Sequence, residues 1–162
     1  MKKIIIFIPS LAGGGAERTI VNIIKYLDKN LFQVKLVLVK HLRKYYQENK
    51  YEELIRDSCE IIYINRKLSI KSLPYIIFDL SRIIKKESPD LLFSTRFKSN
   101  VMMYAAKCIA RFKGPIVLRE STNRTEEGIN TIEKLLISYA YNRANGVIAL
   151  SKGVAEDLRN NF

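Results

Sequence analysis

The chain has 162 residues, of which 48% are hydrophobic, so it can form one globular domain with a buried core and is not a disordered protein. Lysine and arginine (28) outnumber aspartate and glutamate (16), and the resulting charge of +12 favours a nucleic acid, an anionic membrane or a phosphorylated ligand as partner. No apolar run approaches the roughly 20 residues that span a bilayer, and the isolated Cys59 and Cys108 lack metal-binding spacing. We therefore expect a cytoplasmic protein without a bound metal.

Strand and helix patterns alternate along the whole chain. The strand segments are short and rich in Ile, Val and Leu, as in a parallel sheet buried on both faces, and the helical segments carry apolar stripes. This pattern predicts an α/β fold: a Rossmann-like, doubly wound, mostly parallel sheet of about six strands with helices on both faces. The predicted strands are 3–8, 33–39, 60–64, 90–94, 116–119 and 146–150; the predicted helices are 16–27, 72–86, 100–111, 129–143, one that starts near 151 and a short one within 40–58.

The most informative local pattern is a hydrophobic strand followed by Gly13, Gly14 and Gly15 and then by a helix. Glycine allows a positive φ and lets a ligand approach the backbone, and the unpaired amides of a first helical turn attract anions. The pattern predicts a phosphate site, with a simple tight turn as the alternative. The third glycine of the dinucleotide fingerprint would fall on Arg18, and the P-loop would need Lys-Ser or Lys-Thr after the last glycine, so neither motif fits.

Polar residues follow two later strands, at the edge where open α/β sheets bind ligands. Arg96, after the fourth strand, suits a phosphate, with a solvated loop charge as the alternative. In that alternative Ser99 or Asn100 only caps the next helix, although capping and binding can coexist. The fifth strand is followed by a polar run that predicts the rim of a pocket: Arg119, Glu120, Ser121, Thr122 and Asn123.

The string Gly-Gly-Gly-Ala-Glu-Arg at 13–18, after a strand and Pro-Ser-Leu, resembles the N-terminal signature of GT-B glycosyltransferases of the large group 1, or GT4-like, family. The segment 147–158 resembles the one that closes the N-terminal domain of these enzymes. The resemblance implies that residues 1–162 form the N-terminal, acceptor-side domain of a two-domain enzyme, without its C-terminal donor-binding domain.

The same resemblance implies transfer of a hexose or N-acetylhexosamine, with retention, from a nucleotide-sugar, expected to be UDP-linked, to a glycan or lipid-linked acceptor. It implies no metal or other cofactor. It implies that Gly13, Gly14, Gly15 and Arg18 bind the donor diphosphate, although Arg18 alternatively pairs locally. Family members often place a histidine where this chain has Ser121, so the catalytic residue stays unknown, and the isolated chain is expected to be inactive. The residues expected to bind the acceptor are Arg96, Asn100, Arg119, Glu120, Ser121 and Asn123.

Cations and tyrosines are combined at 40–51, and more cations follow at 66–86. Such a surface suits anionic lipid headgroups, with an ordinary solvated face as the alternative, and peripheral binding to the inner face of the cell membrane would suit a lipid-linked acceptor. The alternative function is a non-catalytic basic module for an anionic membrane or nucleic acid. No nucleic-acid motif is recognisable, so we expect no nucleic-acid partner.

Overall fold

The protein is described by a computed structural model that covers residues 1–11, 13–39, 50–126 and 128–162. Six strands form one sheet in the order β3-β2-β1-β4-β5-β6, and every neighbouring pair is parallel. The predicted α/β class and strand number are confirmed. The strands are β1 (Lys2–Phe7), β2 (Phe32–Val39), β3 (Glu60–Ile64), β4 (Leu91–Thr95), β5 (Ile116–Glu120) and β6 (Gly146–Ala149).

Helices cover both faces of the sheet, because alternate strand residues point to opposite sides. Ile5 and Phe7 belong to a core under three helices, whereas Ile4 and Ile6 belong to a second core under the first helix. The helices are α1 (Gly15–Tyr26), α2 (Lys50–Glu53), α3 (Leu73–Glu87), α4 (Phe97–Ala110), α5 (Thr131–Tyr141) and α6 (Lys152–Asn161), with one 3-10 turn at Ile70–Ser72.

Two helix starts differ from the prediction. Helix α4 begins three residues early, at Phe97, so Ser99 and Asn100 lie inside the helix and the predicted cap there is wrong. Helix α5 begins two residues late, because the side chain of Asn130 accepts a hydrogen bond from the Glu133 amide and forms a capping box with it. Of the predicted short helix within 40–58, only α2 falls among the described residues.

The strand order reverses direction between β1 and β4. The chain places β2 and β3 on one side of β1 and then crosses to the other side, where β4 pairs with β1. Phe7 pairs with Ser94, and Thr95 pairs with Arg119, so the carboxyl ends of β1, β4 and β5 lie side by side. Loops that diverge at such a point leave a crevice above the sheet. The glycine loop and both predicted polar loops therefore meet at one edge.

Candidate functional site

An open cavity of about 450 Å³ lies above this switch point. Its walls come from four separate loops: the glycine loop with the start of α1, and the segments after β4, β5 and β6. Backbone amides, guanidinium groups and one carboxylate share this space. The residues that line it are Gly14, Gly15, Ala16, Glu17, Thr19, Arg96, Arg119, Ser121 and Leu150.

The glycine loop leaves its backbone open to solvent. Gly13 has φ +101°, a conformation that side chains disfavour, and all three glycines are exposed. At Gly14 an added Cβ would lie 2.5 Å from Oε2 of Glu17, so a side chain here would require the Glu17 carboxylate to move. Gly15, the first residue of α1, has open space around it. The loop thus presents the N-terminus of α1 to the cavity, where amides attract anions.

Two arginines place positive charge on the wall of the cavity that faces the glycine loop. Arg96 holds φ +72° directly after β4, and its backbone amide donates to the carbonyl of Arg119 (3.1 Å). Its guanidinium reaches back across the cavity, where Nη1 donates to Oε1 of Glu17 at 3.3 Å. Arg119 is buried, and its Nη1 donates to the hydroxyl of Thr95 (3.1 Å). Guanidinium groups in such a cavity match the geometry of phosphate oxygens.

Of the described residues that line the cavity, Glu17 is the only acidic one, and just 4% of it is exposed. It sits in the first turn of α1, where the helix dipole favours a negative charge. Its position beneath Gly14 places the carboxylate between the glycine loop and Arg96. The cavity can therefore bind an anion through its arginines and accept hydrogen bonds from hydroxyl groups through Glu17.

A fully buried amide supports the cavity from below. Asn100, in α4, is 0% exposed, and its Nδ2 donates to the carbonyl of Arg119 (2.9 Å) and to the hydroxyl of Tyr141 (2.8 Å). Its Oδ1 accepts a hydrogen bond from the hydroxyl of Ser94 (2.6 Å). Asn100 thus joins β4, β5 and α5, and its side chain is used inside the protein.

The network continues to the loop that holds Ser121. The hydroxyl of Tyr141 donates to Oε2 of Glu120 (2.7 Å), and Oε1 of Glu120 accepts from the amide of Ser121 (3.0 Å). Burial, and then the charge of Glu120, raise the pKa of Tyr141 far above its ordinary value, so this hydroxyl remains a donor. Glu120 is 1% exposed and does not line the cavity. The network therefore determines where the wall formed by Ser121 lies.

A second carboxylate, Asp157 of α6, holds the remainder of this loop. It accepts hydrogen bonds from the backbone amides of Arg124 (2.8 Å) and Thr125 (3.3 Å), from the Thr125 hydroxyl and from Asn161 (2.9 Å). Burial opposes ionisation of Asp157, but the hydrogen bonds led by Thr125 outweigh it and hold the pKa below its ordinary value. Helix α6 thus fixes the loop after β5.

The structure brings five of the predicted site residues to the cavity: Gly14, Gly15, Arg96, Arg119 and Ser121. Gly13 is exposed at the start of the loop, just outside the lining.

The other four predicted site residues lie elsewhere. Arg18 is exposed and outside the lining, and Asn123 donates to Glu126 (2.7 Å) in the loop after β5. Asn100 and Glu120 are buried beneath the cavity.

The predicted site residues did not include Tyr141, Asp157 or Glu17. Glu17 lies in the Gly-Gly-Gly-Ala-Glu-Arg string and Asp157 in the segment 147–158, so both belong to the motifs that carry the family resemblance. Nothing in the local pattern around Tyr141 distinguishes it from other helical residues. Within the described ranges, no group of three or more His, Cys, Asp or Glu residues could hold a metal ion, and no helix is long and apolar enough to cross a membrane.

An all-parallel α/β sheet with a glycine loop, a helix N-terminus and two arginines at its switch point is the arrangement in which open α/β sheets bind phosphorylated ligands. The family model for Glycosyltransferase Family 4 matches residues 13–162. The chain belongs to this family and has the fold of a GT-B N-terminal domain, as its glycine signature predicted.

A curated relative is N-acetylgalactosamine-N,N'-diacetylbacillosaminyl-diphospho-undecaprenol 4-alpha-N-acetylgalactosaminyltransferase from Campylobacter jejuni subsp. jejuni. It is 28% identical over 174 aligned residues, which include 100% of this chain and 45% of the relative. The chain thus spans less than half the length of this curated relative.

Solved structures share the fold. HepE of Anabaena, in complex with UDP and glucose, superposes with a TM-score of 0.72 at 18% identity, over 99% of this chain and 41% of HepE. The apo lipopolysaccharide outer core galactosyltransferase WaaB superposes with a TM-score of 0.69 at 17% identity, over 99% of this chain and 42% of WaaB. At these identities the likeness concerns the fold.

Proposed function

We propose that this chain is the acceptor-side domain of a glycosyltransferase that transfers a hexose or N-acetylhexosamine, with retention, from a UDP-sugar to a glycan or lipid-linked acceptor. The observation that carries the proposal is the cavity in which the exposed glycine loop faces Arg96 and Arg119. A diphosphate leaving group gains negative charge as the glycosidic bond breaks. Aligned amides and guanidinium groups offset such a charge most effectively in a site that excludes water.

The names of two similar proteins support the class of substrate. The Campylobacter relative is named for transfer of N-acetylgalactosamine to a sugar on diphospho-undecaprenol, and HepE was solved with UDP and glucose. Both ligands combine phosphate with sugar hydroxyls, which fits the arginines and the single carboxylate of this cavity. A C-terminal domain would hold most of the donor in the proposed enzyme.

The proposed roles follow from position. Gly13, Gly14 and Gly15 approach the donor diphosphate, and Arg96, Arg119 and Ser121 bind the acceptor. Asn100 and Glu120 position these groups from below, because their side chains are buried and hydrogen-bonded inside the protein. Arg18 and Asn123 would reach a ligand only beside the cavity.

Sugar transfer by a polypeptide that includes the C-terminal domain tests this function. Labelled UDP-sugars are incubated with lipid-linked acceptors, and the labelled product is extracted into organic solvent. We expect Arg96→Gln to lower kcat/KM about tenfold, roughly the effect of losing one charge-assisted contact. Lys98→Gln is the matched control, because Lys98 is an exposed cation two residues away that does not line the cavity. Equal activity of the two variants, or no transfer from any UDP-sugar, would contradict the proposal.

We further propose that the enzyme binds the membrane peripherally through the segment 65–86, here called the β3–α3 surface. Most of the predicted patch at 40–51 lies outside the described residues, but the β3–α3 surface carries six cations and one acid, Asp79, which pairs with Arg66. Apolar side chains project among these cations: Leu68, Ile70 (86% exposed), Tyr75 and Phe78. Its first part, residues 65–72, follows β3 at the same edge of the sheet as the cavity, so a membrane that contacts this part would bring a lipid-linked acceptor near.

Vesicle sedimentation tests the membrane proposal. The chain should bind phosphatidylglycerol vesicles and not phosphatidylcholine vesicles, because each cation near an anionic surface contributes about 1 kcal/mol. Ile70→Ser should weaken binding several-fold by removing an inserted side chain. Ile132→Ser is the matched control, since Ile132 is 71% exposed on α5, away from this surface. Equal losses for the two variants would exclude the β3–α3 surface as the membrane contact.

A further inference from the structure

The ion pair between Glu17 and Arg96 spans the cavity in which the phosphorylated ligand is proposed to bind. It joins the first turn of α1 to the residue after β4, and the two charges cancel. Among the described residues, Arg96 is the only side-chain hydrogen-bond partner of the Glu17 carboxylate. An anion that binds to Nη1 of Arg96 must therefore take the place of this carboxylate.

The two side chains of this ion pair differ in how far they are exposed to solvent. The Glu17 side chain is 5% exposed and is held against Gly14, whereas the Arg96 side chain is 60% exposed. The single contact of 3.3 Å is longer than a strong charge-assisted hydrogen bond. Arg96 can thus turn toward a ligand, while Glu17 stays in the wall.

We propose that Glu17 is a specificity-determining residue whose carboxylate competes with the ligand's phosphate for Arg96. A bare phosphate or diphosphate that takes Nη1 of Arg96 leaves the carboxylate unpaired, and at any position on the guanidinium it meets repulsion from that negative charge. A sugar phosphate ester gives Arg96 a phosphate partner and offers hydroxyl groups to the released carboxylate. The exchange leaves both charged side chains of the pair hydrogen-bonded.

This competition makes the cavity selective for compounds that carry phosphate and hydroxyl groups together. It also weakens the binding of free inorganic anions, because a buried carboxylate without a partner is costly. The inference rests on the proposed function only for the class of ligand; the competition itself follows from the placement of Glu17 and Arg96.

The test compares two probes, inorganic pyrophosphate and N-acetylgalactosamine 1-phosphate, by titration calorimetry or by NMR shifts of the 162-residue chain. We expect Glu17→Gln to bind pyrophosphate about tenfold more tightly than the unchanged chain, because both the competitor and its charge are gone. Its affinity for the sugar phosphate should rise less or fall, because an amide accepts hydrogen bonds from hydroxyls more weakly than a carboxylate does. The preference for sugar phosphate over pyrophosphate should therefore decrease.

Thermal unfolding first establishes that Glu17→Gln is folded. Arg96→Gln gives a second measurement that does not depend on that variant, and it should weaken binding of both probes. Pyrophosphate affinity that is unchanged or lower in folded Glu17→Gln, or no pyrophosphate binding by either protein, would overturn the inference. So would unchanged binding of both probes to Arg96→Gln. These readouts involve no sugar transfer. The inference about Glu17 can therefore fail while the proposed activity is confirmed, and the proposed activity can fail while the competition for Arg96 is confirmed.

Discussion

Tyr141→Phe removes one hydroxyl from the buried network beneath the cavity and nothing else. That hydroxyl donates to Glu120 at 2.7 Å and accepts from Asn100 at 2.8 Å, so each partner loses a hydrogen bond where water does not replace it. An unsatisfied buried polar group costs roughly 1–3 kcal/mol, and more when it is charged. We expect the free energy of unfolding to fall by about 2–4 kcal/mol, out of about 5–15 kcal/mol for an ordinary domain.

Chemical denaturation followed by circular dichroism measures this loss, with Tyr139→Phe as the matched control. Tyr139 lies on the same helix, is 52% exposed and packs edge-on against Tyr104. Removal of its hydroxyl should change stability by less than about 0.5 kcal/mol. If the two variants unfold within that margin of one another, Tyr141 does not hold the network together, and the argument that α5 positions Ser121 fails.

Three further outcomes are expected from denaturation experiments. Gly14→Ala should destabilise the chain by about 1–3 kcal/mol, because the new Cβ would lie 2.5 Å from Glu17; Gly15→Ala, where space is open, should be neutral or slightly stabilising. Asp157→Asn should cost about 1–2 kcal/mol at neutral pH. Because folding lowers the pKa of Asp157, its contribution to the free energy of unfolding is present above the ordinary pKa of about 3.9 and is lost as the pH falls through the lower pKa of the folded state. The stability difference between Asp157→Asn and the unchanged chain should therefore shrink in acid. Arg96→Gly should relieve the strain of φ +72° and raise stability by about 1 kcal/mol relative to Arg96→Ala, while both variants bind pyrophosphate more weakly.

Each of these outcomes has a result that contradicts it. Equal stability of the two alanine variants would mean that Gly14 has no steric role. A constant difference between Asp157→Asn and the unchanged chain from neutral pH to pH 2 would show that the Asp157 pKa is not lowered by folding. No gain for Arg96→Gly over Arg96→Ala would show that the backbone at Arg96 is not strained.

Periodicity predicted most of the fold because the strands are almost uniformly apolar and the helices carry clear stripes. Strand β3 begins and ends where it was predicted, and α3 differs by one residue at each end. The start of α4 was placed too late because Ser99 and Asn100 are typical capping residues. The role of Asn100 inside the helix depends on Ser94 and Tyr141, which tertiary packing brings together.

The candidate site was predictable to the extent that strand ends reveal it. Parallel strands bring their carboxyl ends to one edge, so Arg96, Arg119 and Ser121 could be assigned to one pocket without coordinates. The sequence does not reveal which polar residues face the cavity and which face the core, because that depends on the pleat and on the start of the next helix. Glu120 and Arg119 are adjacent, yet only Arg119 lines the cavity.

The cavity lies where two halves of the chain join, and this has a consequence for the order of assembly. Strands β1 to β3 come from the first 64 residues, and β4 to β6 come from residues beyond 90. The halves are joined through the β1–β4 pairing, in which Ile4 meets Leu91, a contact between residues far apart in sequence. Such distant pairings form slowly during folding. The glycine loop and the two arginines therefore come together only when this central pairing is complete. A partly folded chain without this pairing has no complete cavity in which a ligand could bind.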